Sequence, residues 1–349
     1  MYKRPLFLER SLTALPASRR FSLCTLKQSP VASTPLTKST PLGTRPLGSK
    51  VRQSNLRSGK HKMSIRVKTT SRLDTRSNSG VSDFGPQHRR AIFGLGFRSL
   101  LRLGFAPFGK TAARFHLPLA VTTRLEHGLV IILPGIEGCS SINDSIARGL
   151  VAGQLSHAIR IIDWRRFRPW NPMQLAMERH NRTQARVVAE VITDYRRNFP
   201  GQPVHLIGHS AGAGMALFAL EQLPAGHSVT TVTLMAAAVS RKFDIVRLLD
   251  RTRIGIWNFY SPLDLPAVGL GTMLFGTMDR RHGVSAGALG FKLANESTQS
   301  AENSAVARLK LHQIRFRPNM MKCWNFGGHF GSTNAAFVRQ HIAPILLRQ

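Results

Sequence analysis

The segment Gly208-His209-Ser210-Ala211-Gly212 constrains the fold more than any other part of this sequence. It follows the apolar run Pro203 to Ile207, which is typical of a short buried strand, and it opens the run Ala211 to Leu223, which is typical of a buried helix. A serine between such elements lies in a strained turn, where a side chain at either glycine would clash. The segment predicts a strand, a sharp turn at Ser210 and a helix.

From about Leu125 onward, strand-sized apolar runs alternate with helix-sized amphipathic ones, which predicts an α/β fold with a doubly wound, mostly parallel sheet. Six strands are predicted, at Leu129 to Leu133, Ala158 to Asp163, Val204 to Ile207, Val229 to Met235, Ile254 to Tyr260 and about Leu309 to Phe316. The predicted helices are Ile142 to Leu155, Gln174 to Arg197, the helix after Ser210, and about Thr333 to Leu347.

Positive charge is concentrated at the beginning of the chain. The 349 residues carry 49 Lys and Arg against 17 Asp and Glu, and residues 1–90 hold 19 of the former and 3 of the latter. Residues 1–85 are rich in Ser, Thr and Pro, and we expect a disordered basic leader. Two interpretations of this leader stay open, a targeting segment that resembles an organellar transit peptide and a translation start further downstream, for instance at Met63.

Residues 86–124 are expected to link the leader to a catalytic domain at 125–349. Within this linker, the apolar and basic stretch from Arg89 to Lys110 contains four glycines, which weaken an isolated helix. We therefore favour packing against the domain over weak contact with a membrane surface.

The Gly-rich region 265–305 is either a lid over a cleft or an ordinary crossover connection with additional loops.

A serine hydroxyl is nearly inert at neutral pH, so a hydrolytic serine needs a base, an acid that orients the base, and donors for an oxyanion. His329, in the loop Gly327-Gly328-His329-Phe330-Gly331, is the candidate base because it follows the last strand and precedes the last helix. Asp264 is the candidate acid because it follows the fifth strand, with Asp244 and Asp279 as alternatives. The order Ser210, Asp264, His329 is that of an α/β-hydrolase triad.

The turn after the first strand, Leu133-Pro134-Gly135-Ile136-Glu137-Gly138, is the candidate oxyanion loop. One donor would be the backbone amide of Ala211, which follows the nucleophile, and the other the amide of Ile136 or, as a second choice, of Glu137. A tight turn without a catalytic role is the alternative.

Over residues 125–349 the chain resembles the α/β-hydrolase superfamily, through the segment Gly208 to Gly212, Pro134-Gly135-Ile136, Asp264 and Gly328-His329. It is most similar to serine lipases and esterases, and in particular to uncharacterised bacterial members with a PGIEG turn and a GGHFG loop. The resemblance implies a nucleophile, an acid and a base at the matching positions. The chain departs from the HGGG oxyanion motif of lipases and esterases, since it has Pro134-Gly135-Ile136 there.

These observations predict a serine hydrolase that cleaves small-molecule or lipid carboxylic esters and needs no metal or organic cofactor. The alternatives are an acyltransferase with the same triad and a non-catalytic binding module on the same scaffold. The scattered arginines are typical of a solvated face; as a further partner they favour an anionic membrane surface over nucleic acid, because no nucleic-acid-binding motif is present. Without an apolar run of about 18 residues, a cytoplasmic or peripheral membrane protein is expected. The sequence predicts no oligomeric state.

Overall fold

The computed structural model describes residues 86–104, 121–166, 172–265, 276–293 and 301–348, which all belong to one compact unit. The predicted leader at residues 1–85 lies outside the described residues and stays a prediction. In chain order the described α-helices are α1 (Pro86–Gly104), α2 (Thr122–Leu125), α3 (Ser141–Ala152), α4 (Glu178–Asn198), α5 (Ala211–Glu221), α6 (Ala286–Leu289), α7 (Ala301–Lys310), α8 (Ala335–Phe337) and α9 (Ala343–Leu346). A π-helical turn, Val338–Ile342, joins α8 to α9. Short 3-10 helices lie at Pro172–Ala176, Val246–Arg251, Pro262–Asp264, Pro318–Cys323 and Gly331–Thr333.

Among the described residues, the strands are β1 (Leu129–Leu133), β2 (Ala158–Ile161), β3 (Val204–His209), β4 (Val229–Met235), β5 (Thr252–Tyr260) and β6 (Leu311–Arg315). They form one sheet with the order β2-β1-β3-β4-β5-β6, and every neighbouring pair is parallel. The predicted α/β fold with a doubly wound sheet is confirmed. The bounds of β1 and β4 are as predicted, β2 and β6 are shorter than predicted, β3 ends two residues later, and β5 begins two residues earlier.

Both faces of the sheet are buried, because side chains that alternate along each strand enter two different cores. Along β1, Leu129 and Ile131 pack with residues of α4 and α5, whereas Val130 and Ile132 pack with residues of α3 and the C-terminal helices. All five residues of β1 are fully buried, as expected for a parallel strand covered on both sides.

The order of the strands reverses between β1 and β3, which are neighbours in the sheet although β2 lies between them in the chain. In open α/β sheets, ligands bind in the crevice at the carboxyl ends of the strands at such a reversal. The turn that begins at Pro134 follows β1, and Ser210 follows β3. The topology therefore puts the predicted nucleophile and the predicted oxyanion turn at the preferred place for a ligand.

The described middle of the predicted lid, residues 276–293, is bonded to the segment that follows β4. The backbone amides of Met278, Ala286 and Gly287 donate to the carbonyl oxygens of Ala238, Val239 and Ala237, over 3.0, 2.7 and 2.9 Å. This part is therefore an integral piece of the domain. Residues 266–275 and 294–300 lie outside the described residues, so a lid over 265–305 stays a prediction.

Helix α1 packs against the domain through small and polar residues. The Ser99 hydroxyl lies 2.6 Å from the Ser145 hydroxyl of α3 and accepts a 3.1 Å hydrogen bond from the Ala335 amide. The Asn334 side chain donates to the Gly96 carbonyl over 3.1 Å. Packing is thus observed for the described part of the 86–124 segment. None of the helices within the described ranges has the length and apolarity that crossing a membrane requires.

Two glycines of α1 provide a matched test of this packing. A Cβ on Gly96 would overlap the Trp324 ring, whereas a Cβ on Gly94 would have no atom within 4 Å. We expect Gly96→Ala to lower the free energy of unfolding by about 1–3 kcal/mol through overpacking. Gly94→Ala should raise it by about 0.5–1 kcal/mol, because alanine loses less backbone entropy in a helix. Denaturant titration of both variants measures the difference, and equal shifts would contradict the packing of α1 on Trp324.

Candidate active site

Ser210 lies in a strained turn between β3 and α5. Its φ of 54° and ψ of −121° are unusual for a residue with a side chain. Three backbone hydrogen bonds hold it there: its amide donates to the Met235 carbonyl over 2.9 Å, and its carbonyl accepts from Ala213 over 3.1 Å and from Ala238 over 3.0 Å. The predicted strand, turn and helix are therefore observed, with Ser210 at the helix N-terminus.

Gly208 and Gly212 are required because backbone passes close to each of them. A Cβ on Gly208 would overlap the backbone of Gly212 and Ala213, and a Cβ on Gly212 would overlap the Leu133 carbonyl at the end of β1. The first glycine lets the chain reverse into α5. The second lets the serine turn contact the predicted oxyanion turn.

The predicted acid and base form a hydrogen-bonded pair. Nδ1 of His329 lies 3.0 Å from Oδ1 and 3.2 Å from Oδ2 of Asp264, which is fully buried. A carboxylate facing Nδ1 favours the tautomer with the proton on that nitrogen, which leaves Nε2 able to accept a proton. The Ser210 hydroxyl forms no hydrogen bond with any residue in the described ranges. Such bonds are often long before substrate binds.

The two rival aspartates have other surroundings. Oδ1 of Asp279 accepts hydrogen bonds from the Ser240 amide over 2.9 Å and from the Thr277 hydroxyl over 2.6 Å, so it closes a turn. Asp244 is exposed to solvent. Of the three candidates, only Asp264 is bonded to His329. Over the described part of the chain, no group of three or more His, Cys, Asp or Glu side chains is arranged to hold a metal ion.

Ser261 ties the loop that carries His329 to the turn that carries Asp264. Its hydroxyl accepts hydrogen bonds from the Leu263 amide over 3.3 Å and from the Gly328 amide over 3.2 Å. Gly328 has a φ of +64°, which is unfavourable for a residue with a side chain. The acid and base loops are 65 residues apart in the chain, yet they share this one buried hydroxyl.

The predicted oxyanion turn lies against the serine turn, since a Cβ on Gly135 would be 3.0 Å from the Cβ of Ser210. The backbone amides of Ile136 and Ala211 donate to no acceptor among the described residues. The Gly135 amide, by contrast, donates to Oε1 of Glu137 over 3.0 Å. Both amides predicted as oxyanion donors are therefore without an acceptor among the described residues.

A second pair, Glu137 and His209, adjoins the site and was not predicted from the sequence. Nδ1 of His209 lies 3.4 Å from Oε1 of Glu137, and Nε2 donates to the His329 carbonyl over 3.1 Å. The rings of His209 and His329 are 4.9 Å apart. Through these contacts, the Glu137 carboxylate connects the oxyanion turn to the serine turn and, through His209, to the base loop.

The Glu137–His209 pair lies in the protein interior, with His209 fully buried and Glu137 partly buried, and the pKa values of both groups are shifted in the direction that favours an ion pair. Burial disfavours the charged form of both groups, but their hydrogen bond and charge attraction outweigh this effect. The pKa of Glu137 is therefore lowered below its usual value, and the pKa of His209 is raised above its usual value. Both ring nitrogens of His209 face oxygen acceptors, which agrees with an imidazolium that donates at each nitrogen.

The pair predicts a characteristic pH dependence of stability. Because folding lowers the pKa of Glu137, its carboxylate stabilises the folded protein above pH 4.5, the ordinary pKa value. This stabilisation is lost as the pH falls through the folded-state pKa. Because folding raises the pKa of His209, its imidazolium contributes its full stabilisation below pH 6.5, the ordinary pKa value. This stabilisation is lost as the pH rises through the folded-state pKa. Glu137→Gln should therefore lower the free energy of unfolding most between these values, by about 1.5–3 kcal/mol.

Denaturant titration of Glu137→Gln across this pH range measures the effect. Glu178→Gln is the control, because Glu178 pairs with Arg182 at the surface, where an ion pair contributes less than about 1 kcal/mol. A loss of stability that is the same at every pH would contradict a charged Glu137–His209 pair.

Neither a protein-family model nor a curated protein matches the chain. Among solved structures, it is similar to a lipase-esterase related protein from Clostridium acetobutylicum, at 13% identity over 62% of this chain and 94% of that one, with a TM-score of 0.34. It is similar to Aspergillus fumigatus lipase B, at 12% identity over 65% and 54% of the two chains, with a TM-score of 0.39. A variant of Arabidopsis thaliana SOBER1 matches at 13% identity over 63% and 98%, also with a TM-score of 0.39.

These similarities are too weak to assign a fold. The sheet and the serine turn assign it instead. All six strands are parallel, helices cover both faces, and the strand-serine-helix turn lies at the reversal of strand order. The chain therefore has the fold of the α/β-hydrolase superfamily.

Proposed function

We propose that the protein is a serine hydrolase that cleaves carboxylic esters through an acyl-enzyme formed on Ser210. The observation that carries this proposal is the buried Asp264 carboxylate bonded to Nδ1 of His329, on a loop that contacts the serine turn through His209. An acid, a base and a strained serine in this relation are what nucleophilic catalysis of acyl transfer requires.

In the first half of the reaction, Oγ of Ser210 attacks the ester carbonyl carbon while Nε2 of His329 takes the hydroxyl proton. Asp264 holds the imidazole in the required tautomer and stabilises the imidazolium that forms. Collapse of the tetrahedral intermediate breaks the bond to the alkoxy oxygen. That oxygen receives the proton from His329 and leaves as the alcohol.

The negative oxygen of the tetrahedral intermediate would accept hydrogen bonds from the amides of Ala211 and Ile136. Ala211 is the first residue of α5, so the partial positive charge at the helix N-terminus also faces this oxygen. The Gly135 amide is occupied by Glu137, which supports Ile136 as the donor from the turn. The bond between Glu137 and Gly135 also fixes the turn before substrate binds, as preorganised stabilisation requires.

In the second half, water replaces the alcohol. His329 takes a proton from the water as its oxygen attacks the acyl carbon, and the proton then returns to Oγ of Ser210 as the carboxylic acid leaves. None of these steps draws on a metal or an organic cofactor. Acyl transfer would follow the same path with another hydroxyl or amine in place of water.

Two substitutions test this assignment with hydrolysis of a short p-nitrophenyl ester as the measurement. Ser210→Ala should abolish turnover above the uncatalysed rate, because no acyl-enzyme can form. Asp264→Asn should lower kcat by about ten-thousand-fold, because an amide at this position favours the wrong imidazole tautomer. Circular dichroism spectra of both variants should match that of the unmodified protein.

Ser156→Ala is the matched control, since Ser156 is an exposed serine that precedes β2, at the opposite end of the sheet from Ser210. It should hydrolyse the ester at the rate of the unmodified protein. Turnover that survives in Ser210→Ala would exclude Ser210 as the nucleophile. Absence of turnover in the unmodified protein, together with an acylated Ser210, would indicate transfer to an acceptor other than water.

A further inference from the structure

Exposed apolar side chains are concentrated around the loop that carries His329. Phe93 of α1 is 62% exposed and Leu263 in the acid turn is 59% exposed, which are large fractions for such side chains. We call this set the apolar face. Its five members come from α1, the acid turn and the segment after β6: Phe93, Phe97, Leu263, Phe326 and Phe330.

Ring contacts join α1 to the segment after β6, and another ring of the apolar face contacts the predicted base. The Trp324 ring lies 5.1 Å from that of Phe93, 6.1 Å from that of Phe97 and 6.0 Å from that of Phe326. At the other end, the Phe330 ring lies 5.0 Å from the imidazole of His329. A molecule that covered this face would therefore also reach the edge of the candidate active site.

Polar contacts on the inner side of α1 keep its aromatic residues outward. The Ser99 hydroxyl bonds to Ser145 and to the Ala335 amide, and Asn334 bonds to the Gly96 carbonyl. Phe93 and Phe97 stack on each other with their ring centroids 6.3 Å apart and contact the domain through Trp324. The exposed aromatic groups are thus fixed in place on a packed helix.

The charge around the apolar face is positive. Helix α1 contains no Asp or Glu and four Arg residues, and residues 303–348 contain no Asp or Glu and seven Lys and Arg residues. Arg90 and Arg98 of α1, and Arg317 and Lys322 after β6, are exposed. Asp264, the acidic residue between Leu263 and Leu265, is fully buried. Apolar side chains that share a helix or a loop with exposed arginine and lysine are typical of a surface that lies on anionic lipid.

We propose that the apolar face docks the protein on an anionic lipid bilayer. Phe93, Phe97 and Phe326 enter the boundary between headgroups and acyl chains, while the exposed basic residues contact the lipid phosphates. A second copy of the chain fits this face less well, because a symmetric contact would bring two positive surfaces together. Docking does not depend on the proposed hydrolase activity. If both hold, the active site opens toward ester-bearing lipids.

The test compares two variants of the full chain in vesicle sedimentation. One is the double variant Phe93→Ser/Phe97→Ser. The control is Leu309→Ser, because Leu309 lies on α7 and is 74% exposed. Vesicles contain either phosphatidylcholine alone or phosphatidylcholine with phosphatidylglycerol. Each binding is measured at low and at high salt, because salt screens attraction by basic residues elsewhere in the chain but leaves apolar insertion in place.

We expect the unmodified protein and Leu309→Ser to bind the anionic vesicles and to retain part of that binding at high salt. The affinity of the double variant for anionic vesicles at high salt should be lower by about tenfold or more, because two aromatic side chains no longer insert. All three proteins should hydrolyse a soluble ester equally. If none of them hydrolyses it, the proposed function fails while the docking result still stands.

Three results would overturn the proposal. The first is that the unmodified protein does not bind anionic vesicles, or binds neutral ones equally well. The second is that the double variant binds as well as Leu309→Ser at high salt. The third is that the double substitution halves the mass measured by light scattering, which would show that a second copy of the chain covers the face.

Discussion

The close approach of the serine turn to the end of β1 is the constraint on which the rest of the site depends. It is allowed because Gly212 has no side chain to overlap the Leu133 carbonyl. The same approach brings the turn that contains Gly135 and Ile136 against Ser210. The strained backbone at Ser210 costs of order 1–3 kcal/mol, and its hydrogen bonds to Met235 and Ala238 on and after β4 offset that cost. The sheet thus supports a conformation that a free loop would not keep.

Buried polar contacts then hold the remaining loops around this turn. The Ser261 hydroxyl joins the acid turn to the base loop, and the Glu137–His209 pair joins the base loop to the oxyanion turn. Groups in such networks are costly to leave unpaired, which makes their arrangement specific. Apart from β3 and α5, which flank the serine, the elements at the site are loops and short turns. Their mutual positions therefore depend on these few hydrogen bonds, and on charge in the case of Glu137 and His209.

The local pattern of apolar residues was sufficient to predict the strands of the sheet. An apolar run between two turns predicts a buried strand, whichever other strand it pairs with. The serine turn was equally predictable, since its glycines are required by sterics within five residues. The pairing of Glu137 with His209 was missed because the two residues are 72 positions apart in the sequence and no local motif at either one predicts their contact. Ser261 and Gly328 are 67 residues apart and were missed for the same reason. A signal for the pair did exist: a glutamate in a turn and a histidine beside the serine both lie at carboxyl ends of adjacent strands.

Reaction with a fluorophosphonate, followed by peptide mass spectrometry, tests the central claim most directly, because the reagent modifies a serine only when a neighbouring base activates it. The account predicts one adduct, on the peptide that contains Ser210, and predicts that replacing His329 by alanine abolishes the adduct while the protein remains folded. A folded protein that stays unmodified, or an adduct on another serine, would contradict it.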